Sequence, residues 1–210
     1  MFFRRNKSSI AAAERDVPLP GRDYPMAVAD AHAILGTPMT PPFPDGMEQL
    51  VVAMGCFWGP ERAFWQTDGV HTTAAGYAGG STPNPNYAET SSGQTGHAEA
   101  VLVVYDPTVV DIQDLFRLFW EQHDPTTPRP AFGFGSNYRS ALYTFTDEQL
   151  VAAEASRQRY QARLTERGFQ KIRTEIGPAG PFYYAEDRHQ QYLHKNPRAL
   201  CPHGFCQVGY

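Results

Sequence analysis

QLVVAMGCFWGPERAFWQ, residues 49–66, reads as a strand, a tight turn and a helix. Gln49–Met54 is an apolar run of strand length closed by a glycine, and Phe57–Gln66 carries helical spacing. Pro60 is tolerated in the first turn of that helix, where its missing N–H has no intrahelical partner to lose. Between the two lies Cys56, with Gly55 before it and Phe57-Trp58-Gly59 after it. A thiol reacts as thiolate, and the start of a helix favours that anion. Cys56 is read either as a nucleophile reached through a glycine-rich turn or as an inert buried thiol.

Working outward, Val70–Ala78 and His97–Tyr105 read as the second and third strands, with Val101–Val104 as core. Asp111–His123 is an amphipathic helix presenting Leu115, Phe116, Leu118, Phe119 and Trp120, and Tyr138–Phe145 is the fourth strand. Thr146-Asp147-Glu148-Gln149 is a capping box for a helix that stops at Gly168. Lys171–Ile176 is a further strand, Glu186–Lys195 a short helix, and residues 79–96 a long loop. The order β-α-β-β-α-β predicts an α+β fold, a two-layer α/β sandwich with a ferredoxin-like core. Strands one and two then run together, and three and four run against them. The end of strand one therefore meets the starts of strands three and four. That rim gathers Cys56, Glu99, Tyr138 and, from the long loop, Tyr87.

Around this core, residues 1–48 hold scattered prolines and little periodicity, and read as an extended N-terminal arm containing a short helix over Met26–Leu35. Residues 49–195 form the α+β domain, and 196–210 a tail with Cys201 and Cys206. The chain has 210 residues and a formal net charge of −4, so no basic excess points to nucleic acid. No run approaches the roughly 20 apolar residues of a membrane span, and no secretory signal is visible. Three cysteines make no disulfide framework and suit a reducing, cytoplasmic setting; a monomer is expected.

Each candidate has a plainer reading beside the chemical one. Glu99, between Ala98 and Ala100, is either a desolvated carboxyl able to act as an acid or a rim glutamate in an ion pair. His97 is either the base of a Cys-His hydrolase or a structural group. Phe57 and Trp58 either enclose a small methyl-bearing group or pack in the core. Cys201 and Cys206, five positions apart, suit thiol exchange with Cys56 better than a zinc site, which needs more ligands.

Gly55-Cys56-Phe57-Trp58-Gly59 resembles the signature of the peptide methionine sulfoxide reductase A family. The likeness continues through Ala75-Gly76-Tyr77, Thr82-Pro83-Asn84-Pro85-Asn86-Tyr87 and Thr95-Gly96-His97-Ala98-Glu99-Ala100-Val101. It extends to Tyr105-Asp106-Pro107, His123-Asp124-Pro125, Tyr138-Arg139-Ser140 and His189-Gln190-Gln191-Tyr192-Leu193, and the arm resembles longer bacterial members.

The resemblance implies a peptide-methionine (S)-S-oxide reductase that returns methionine-S-sulfoxide, free or in proteins, to methionine. It implies that Cys56 attacks the sulfoxide sulfur and becomes a sulfenic acid, that Glu99 supplies the proton, and that Tyr87 and Tyr138 hold the oxygen. Phe57 and Trp58 would enclose the methyl group. Cys201 would resolve the sulfenic acid, and Cys206 would pass the disulfide to an external thiol reductant, thioredoxin in the family, with no metal or other cofactor. Two departures stand out. Gly133 occupies the place of a usual aspartate, which predicts a more apolar and more mobile rim, with Asp124 the candidate to compensate. The tail lacks a glycine-rich spacer, and Pro202 restricts the Cys201–Cys206 loop. The competing reading is a general thiol peroxidase or disulfide oxidoreductase using Cys56. A hydrolase leaves Cys201 and Cys206 without a task, and a sensor of oxidised methionine leaves the Cys56, Glu99, Tyr87 and Tyr138 set unused.

Overall fold

The computed structural model describes residues 19–130, 133–200 and 208–210, so Cys201 and Cys206 lie outside the described residues. Six strands among these residues form one sheet: β1 (Glu48–Met54), β2 (Val70–Ala78), β3 (Ala98–Tyr105), β4 (Ser140–Thr144), β5 (Glu175–Pro178) and β6 (Tyr183–Tyr184). The helices are α1 (Trp58–Trp65), α2 (Tyr87–Ser91), α3 (Ile112–Glu121), α4 (Asp147–Glu166) and α5 (Tyr192–Lys195).

The apolar run of β1 takes the middle of the sheet, whose order is β5-β4-β1-β3-β2-β6. Both neighbours of β1 are antiparallel to it, with Val52 opposite Val101 on one side and Leu142 on the other. β2 is antiparallel to β3, so β1 and β2 share a direction without touching. This is the ferredoxin-like core that the element order predicts, extended at one edge by β5, parallel to β4, and at the other by β6.

Alternation along β1 separates two apolar layers. Leu50, Val52 and Met54 face Phe64 of α1, Phe116, Phe119 and Trp120 around α3, and Tyr160 and Leu164 of α4. Val51 and Ala53 lie on the other face with Ala100, Leu102 and Tyr143, covered by Phe43 and Met47 of the arm and by Phe182 and Tyr184. A sheet buried on both faces explains why β3 is apolar without alternation. The helical layer is pinned by polar contacts as well: the fully buried Trp120 donates its indole N–H to Ser156 Oγ at 2.6 Å.

Several segments differ from their sequence reading. Met26–Leu35 forms no helix; it holds a turn and a bridge between Ala31 and Pro38. So short a helix is marginal in water, and buried His32 pins the turn instead. Its Nδ1 accepts the N–H groups of Ile34 and Leu35, at 3.2 Å each. The expected loop 79–96 contains α2, capped reciprocally by Asn86 and Glu89. The helix expected over Glu186–Lys195 breaks into a 3-10 turn at Asp187–His189 and α5, because Gln191 adopts a left-handed φ of +46°. β6 has no signal in the sequence. β5 begins at Glu175 rather than at Lys171.

Candidate active site

Where β1 ends, Gly55 takes a φ of +90°, which an L side chain adopts only with strain, and the chain turns into α1. Cys56, half-buried, sits in that turn and faces a cleft of about 510 Å³. Trp58, Tyr87, Glu99 and Tyr138 line the same cleft. Four expected site residues are thus joined to Trp58 around one space.

Glu99 is only 1% exposed and is the second residue of β3, which begins at Ala98. Its Oε2 accepts the backbone N–H of Phe57 at 3.2 Å, one residue beyond the cysteine. Asn137 Nδ2 lies 3.4 Å from its Oε1. Asn137 carries no distinguishing signal in the sequence, where it reads as one more loop residue before a strand. Tyr138 does not open β4; it closes a 3-10 turn at Ser136–Tyr138, two residues before the strand starts. Burial, then the Glu99 carboxyl and the Tyr87 phenol, push its pKa up to about 12, so it stays a hydrogen-bond donor at neutral pH.

The two aromatics after Cys56 part company. Trp58 lines the cleft, stacks on Tyr192 with centroids 3.8 Å apart, and donates its indole N–H to His189 Nδ1 at 3.3 Å. Phe57 is 1% exposed and packs behind the cleft wall against Tyr77 and His189. His189 also stacks on Tyr87, and burial lowers its pKa, leaving it neutral. Beneath them Glu186 accepts from the Tyr87 backbone N–H and from the Tyr77 hydroxyl. One histidine therefore fixes the indole and the phenol together, a second contribution that the sequence motif around His189 did not reveal.

His97 takes the structural alternative. Its Nδ1 accepts the Gly80 N–H at 3.0 Å, its Nε2 donates to the Thr82 carbonyl at 2.7 Å, and burial lowers its pKa. Both ring nitrogens are used to hold the 79–96 connection. His123 lines the cleft, donating from Nδ1 to the Phe119 carbonyl and accepting from the Ser140 hydroxyl. Asp124 also lines it, with its carboxylate engaged by Thr126 and Thr127 of its own turn. Gly133 has a φ of +86° and donates its N–H to Gly93 O, while the neighbouring Phe134 is 96% exposed. Among the described residues no group of three or more His, Cys, Asp or Glu could hold a metal ion, and no helix is long and apolar enough to cross a membrane.

Fold and cleft together define a class: a two-layer α+β domain whose central strand leads into a turn that carries a cysteine beside a buried carboxyl. The family model described as peptide methionine sulfoxide reductase matches residues 48–207. The peptide methionine sulfoxide reductase MsrA of Salinispora arenicola is 53% identical over 216 residues, spanning 100% of this chain and 97% of its own length. The solved methionine sulfoxide reductase A of Corynebacterium diphtheriae is 42% identical, with a TM-score of 0.81 over 94% of this chain and 98% of that one. Mxr1 from Saccharomyces cerevisiae, solved in complex with Trx2, is 25% identical with a TM-score of 0.53 over 84% of this chain and 97% of its own. The chain belongs to the peptide methionine sulfoxide reductase family. It is an oxidoreductase that reduces methionine sulfoxide to methionine.

Proposed function

We propose that Cys56 is the nucleophile and Glu99 the proton donor in reduction of the S epimer of methionine sulfoxide. The Cys56 thiolate attacks the sulfoxide sulfur, and the protonated Glu99 carboxyl transfers its proton to the sulfoxide oxygen. As the hydroxyl of this adduct passes from the methionine sulfur to the Cys56 sulfur, the bond between the two sulfurs breaks; methionine leaves, Cys56 holds the oxygen as a sulfenic acid, and Glu99 is left as carboxylate. Cys56 is oxidised by two electrons and the sulfoxide sulfur reduced by two. Tyr87 and Tyr138 donate to the oxygen as it gains charge. Trp58 covers the methyl group, and Phe57 backs it from the core side.

The observation that carries this reading is the 3.2 Å contact of Glu99 Oε2 with the N–H next to Cys56, which keeps acid and thiol within one substrate's width. The fixed indole of Trp58 and the high pKa of the Tyr138 phenol support it further.

The Cys201 thiol then condenses with the sulfenic acid, releasing water and forming a disulfide. Cys206 exchanges into that disulfide and offers it to an external dithiol. Thioredoxin is the reductant this reading favours; Mxr1 in complex with the thioredoxin Trx2 is the supporting likeness. On this reading residues 1–48 are an arm, 49–195 carry the reaction, and 196–210 form the redox tail of a cytoplasmic monomer without cofactor. Both sulfoxide epimers, given with dithiothreitol to the wild-type protein and to Cys56→Ser, test the proposal. Turnover of the S epimer alone, abolished by the substitution, is expected. Equal use of both epimers, or activity without Cys56, overturns it.

A further inference from the structure

A second groove of about 590 Å³ adjoins the cleft and shares Thr127, Arg129 and Ser140 with it. Its other polar side chains are Ser81, Arg139, Arg173 and Glu175. Arg139 is built into the fold: it pairs with Glu175 at 3.1 Å and donates to the Gly79 carbonyl at 3.2 Å. Glu175 is thereby matched. Arg129 and Arg173 are exposed and make no ion pair among the described residues. Among the described residues, two cations without an ion pair thus stand beside the cleft of a chain whose formal net charge is −4.

The groove is also kept clear. Gly79, Gly80 and Gly96 form part of its wall, so backbone rather than side chain lines it there. A Cβ on Gly79 would meet Tyr143 Oη at 2.0 Å, and one on Gly80 would meet the His97 N at 2.3 Å. His97 fixes that wall through its bonds to Gly80 and Thr82. An open, partly backbone-walled channel with two exposed guanidinium groups fits an extended chain carrying carboxylates.

We propose that this groove is a subsite for acidic residues flanking the methionine sulfoxide in an oxidised polypeptide. The proposal rests on the reading of the adjoining cleft as the sulfoxide site. Because the groove shares a wall with the cleft, residues next to the sulfoxide in sequence reach it, at about 3.3–3.6 Å of extended chain each. The two arginines act on encounter and binding, so the preference falls in KM and weakens as salt screens it.

The test uses the full-length protein with dithiothreitol and short peptides, acetylated and amidated to remove terminal charge. Each carries one methionine-S-sulfoxide flanked by Asp, Asn or Lys. At low ionic strength the Asp peptide is expected to exceed the Asn peptide in kcat/KM by about fivefold, through KM, with Lys lowest. Each variant's Asn-peptide rate serves as its own reference. The Asp-to-Asn ratio is expected to fall toward one in Arg129→Gln/Arg173→Gln and to drop below one in Arg173→Glu. A ratio of one in the wild type, or a preference that survives the double substitution, overturns the groove proposal alone. Failure to reduce any of the three peptides overturns the reading of the cleft, and the groove proposal with it.

Discussion

Gln191 binds Glu61 twice. Its backbone N–H and its side-chain amide each donate to the buried carboxyl at 2.8 Å, across 130 residues of sequence. This link joins α1, which follows Cys56, to the left-handed residue from which α5 and the tail depart. Burial pushes the Glu61 pKa up to about 8, against the bonds from Gln191.

A raised carboxyl pKa has a definite sign. The native state keeps a proton that the unfolded chain has lost, so stability falls as pH rises from about 4.5 to about 8. Denaturant unfolding of wild type and Glu61→Gln at pH 5 and pH 8.5 reads the effect. The wild type is expected to lose on the order of a few kcal/mol relative to the variant over that interval. Parallel stability curves would contradict it.

His32 acts in the opposite direction. Burial, with the nearby His194, pulls its pKa down to about 4, so the unfolded state takes up a proton first. The stability it contributes is present above about 6.5 and is lost as pH falls through 4. Protonated Nδ1 can no longer accept the Ile34 and Leu35 N–H groups. Protection factors at those two amides, taken against an intrinsic rate that itself slows as pH falls, should drop between pH 6.5 and 4. Unchanged protection factors would refute the assignment.

Gly93 and Gly133 separate backbone strain from steric overlap. Both have positive φ, at +74° and +86°. A Cβ at Gly93 would meet Gly133 O at 2.0 Å, whereas one at Gly133 meets nothing within 4 Å. Gly133→Ala should cost roughly 1 kcal/mol, the penalty of a left-handed L residue, and Gly93→Ala more. Equal losses in thermal unfolding would show that the close approach is not maintained. By the same geometry the aspartate expected at 133 is a matter of strain rather than room.

The Tyr138 phenol, with its pKa near 12, should contribute no limb to the profile of kcat/KM between pH 6 and 10. Tyr138→Phe is expected to lower kcat/KM by roughly 10²-fold, the scale of losing one donor to a developing oxyanion. A wild-type rate in that variant would remove Tyr138 from the oxygen-binding set.

The core was legible where periodicity and burial coincide. The apolar runs of β1 and β3 could only be buried strands, the amphipathic face of α3 could face only the core, and the rim followed from strand direction. Chemistry that depends on contacts distant in sequence was not legible. Asn137 gains its role only by reaching Glu99, 38 residues away, and His189 by lying between Trp58 and Tyr87. Phe57 and Trp58, adjacent and similar on paper, are separated by the start of α1, which sends one into the core and the other to the cleft. Met26–Leu35 misled because its helix-forming alanines are overruled by the buried His32. Asn86 and Glu89 form a capping box that the surrounding prolines and glycines obscured.

Passage of oxygen from the sulfoxide to Cys56, with a proton from Glu99, is the step on which the proposed function turns. Single-turnover rapid quench of a Cys201→Ser/Cys206→Ser protein, with mass analysis of the Cys56 peptide, tests it directly. One methionine formed per protein, one sulfenic acid on Cys56 trapped by dimedone, and a rate lowered about 10²-fold or more by Glu99→Gln are expected. Methionine released without oxygen on Cys56, or at an undiminished rate in Glu99→Gln, would contradict it.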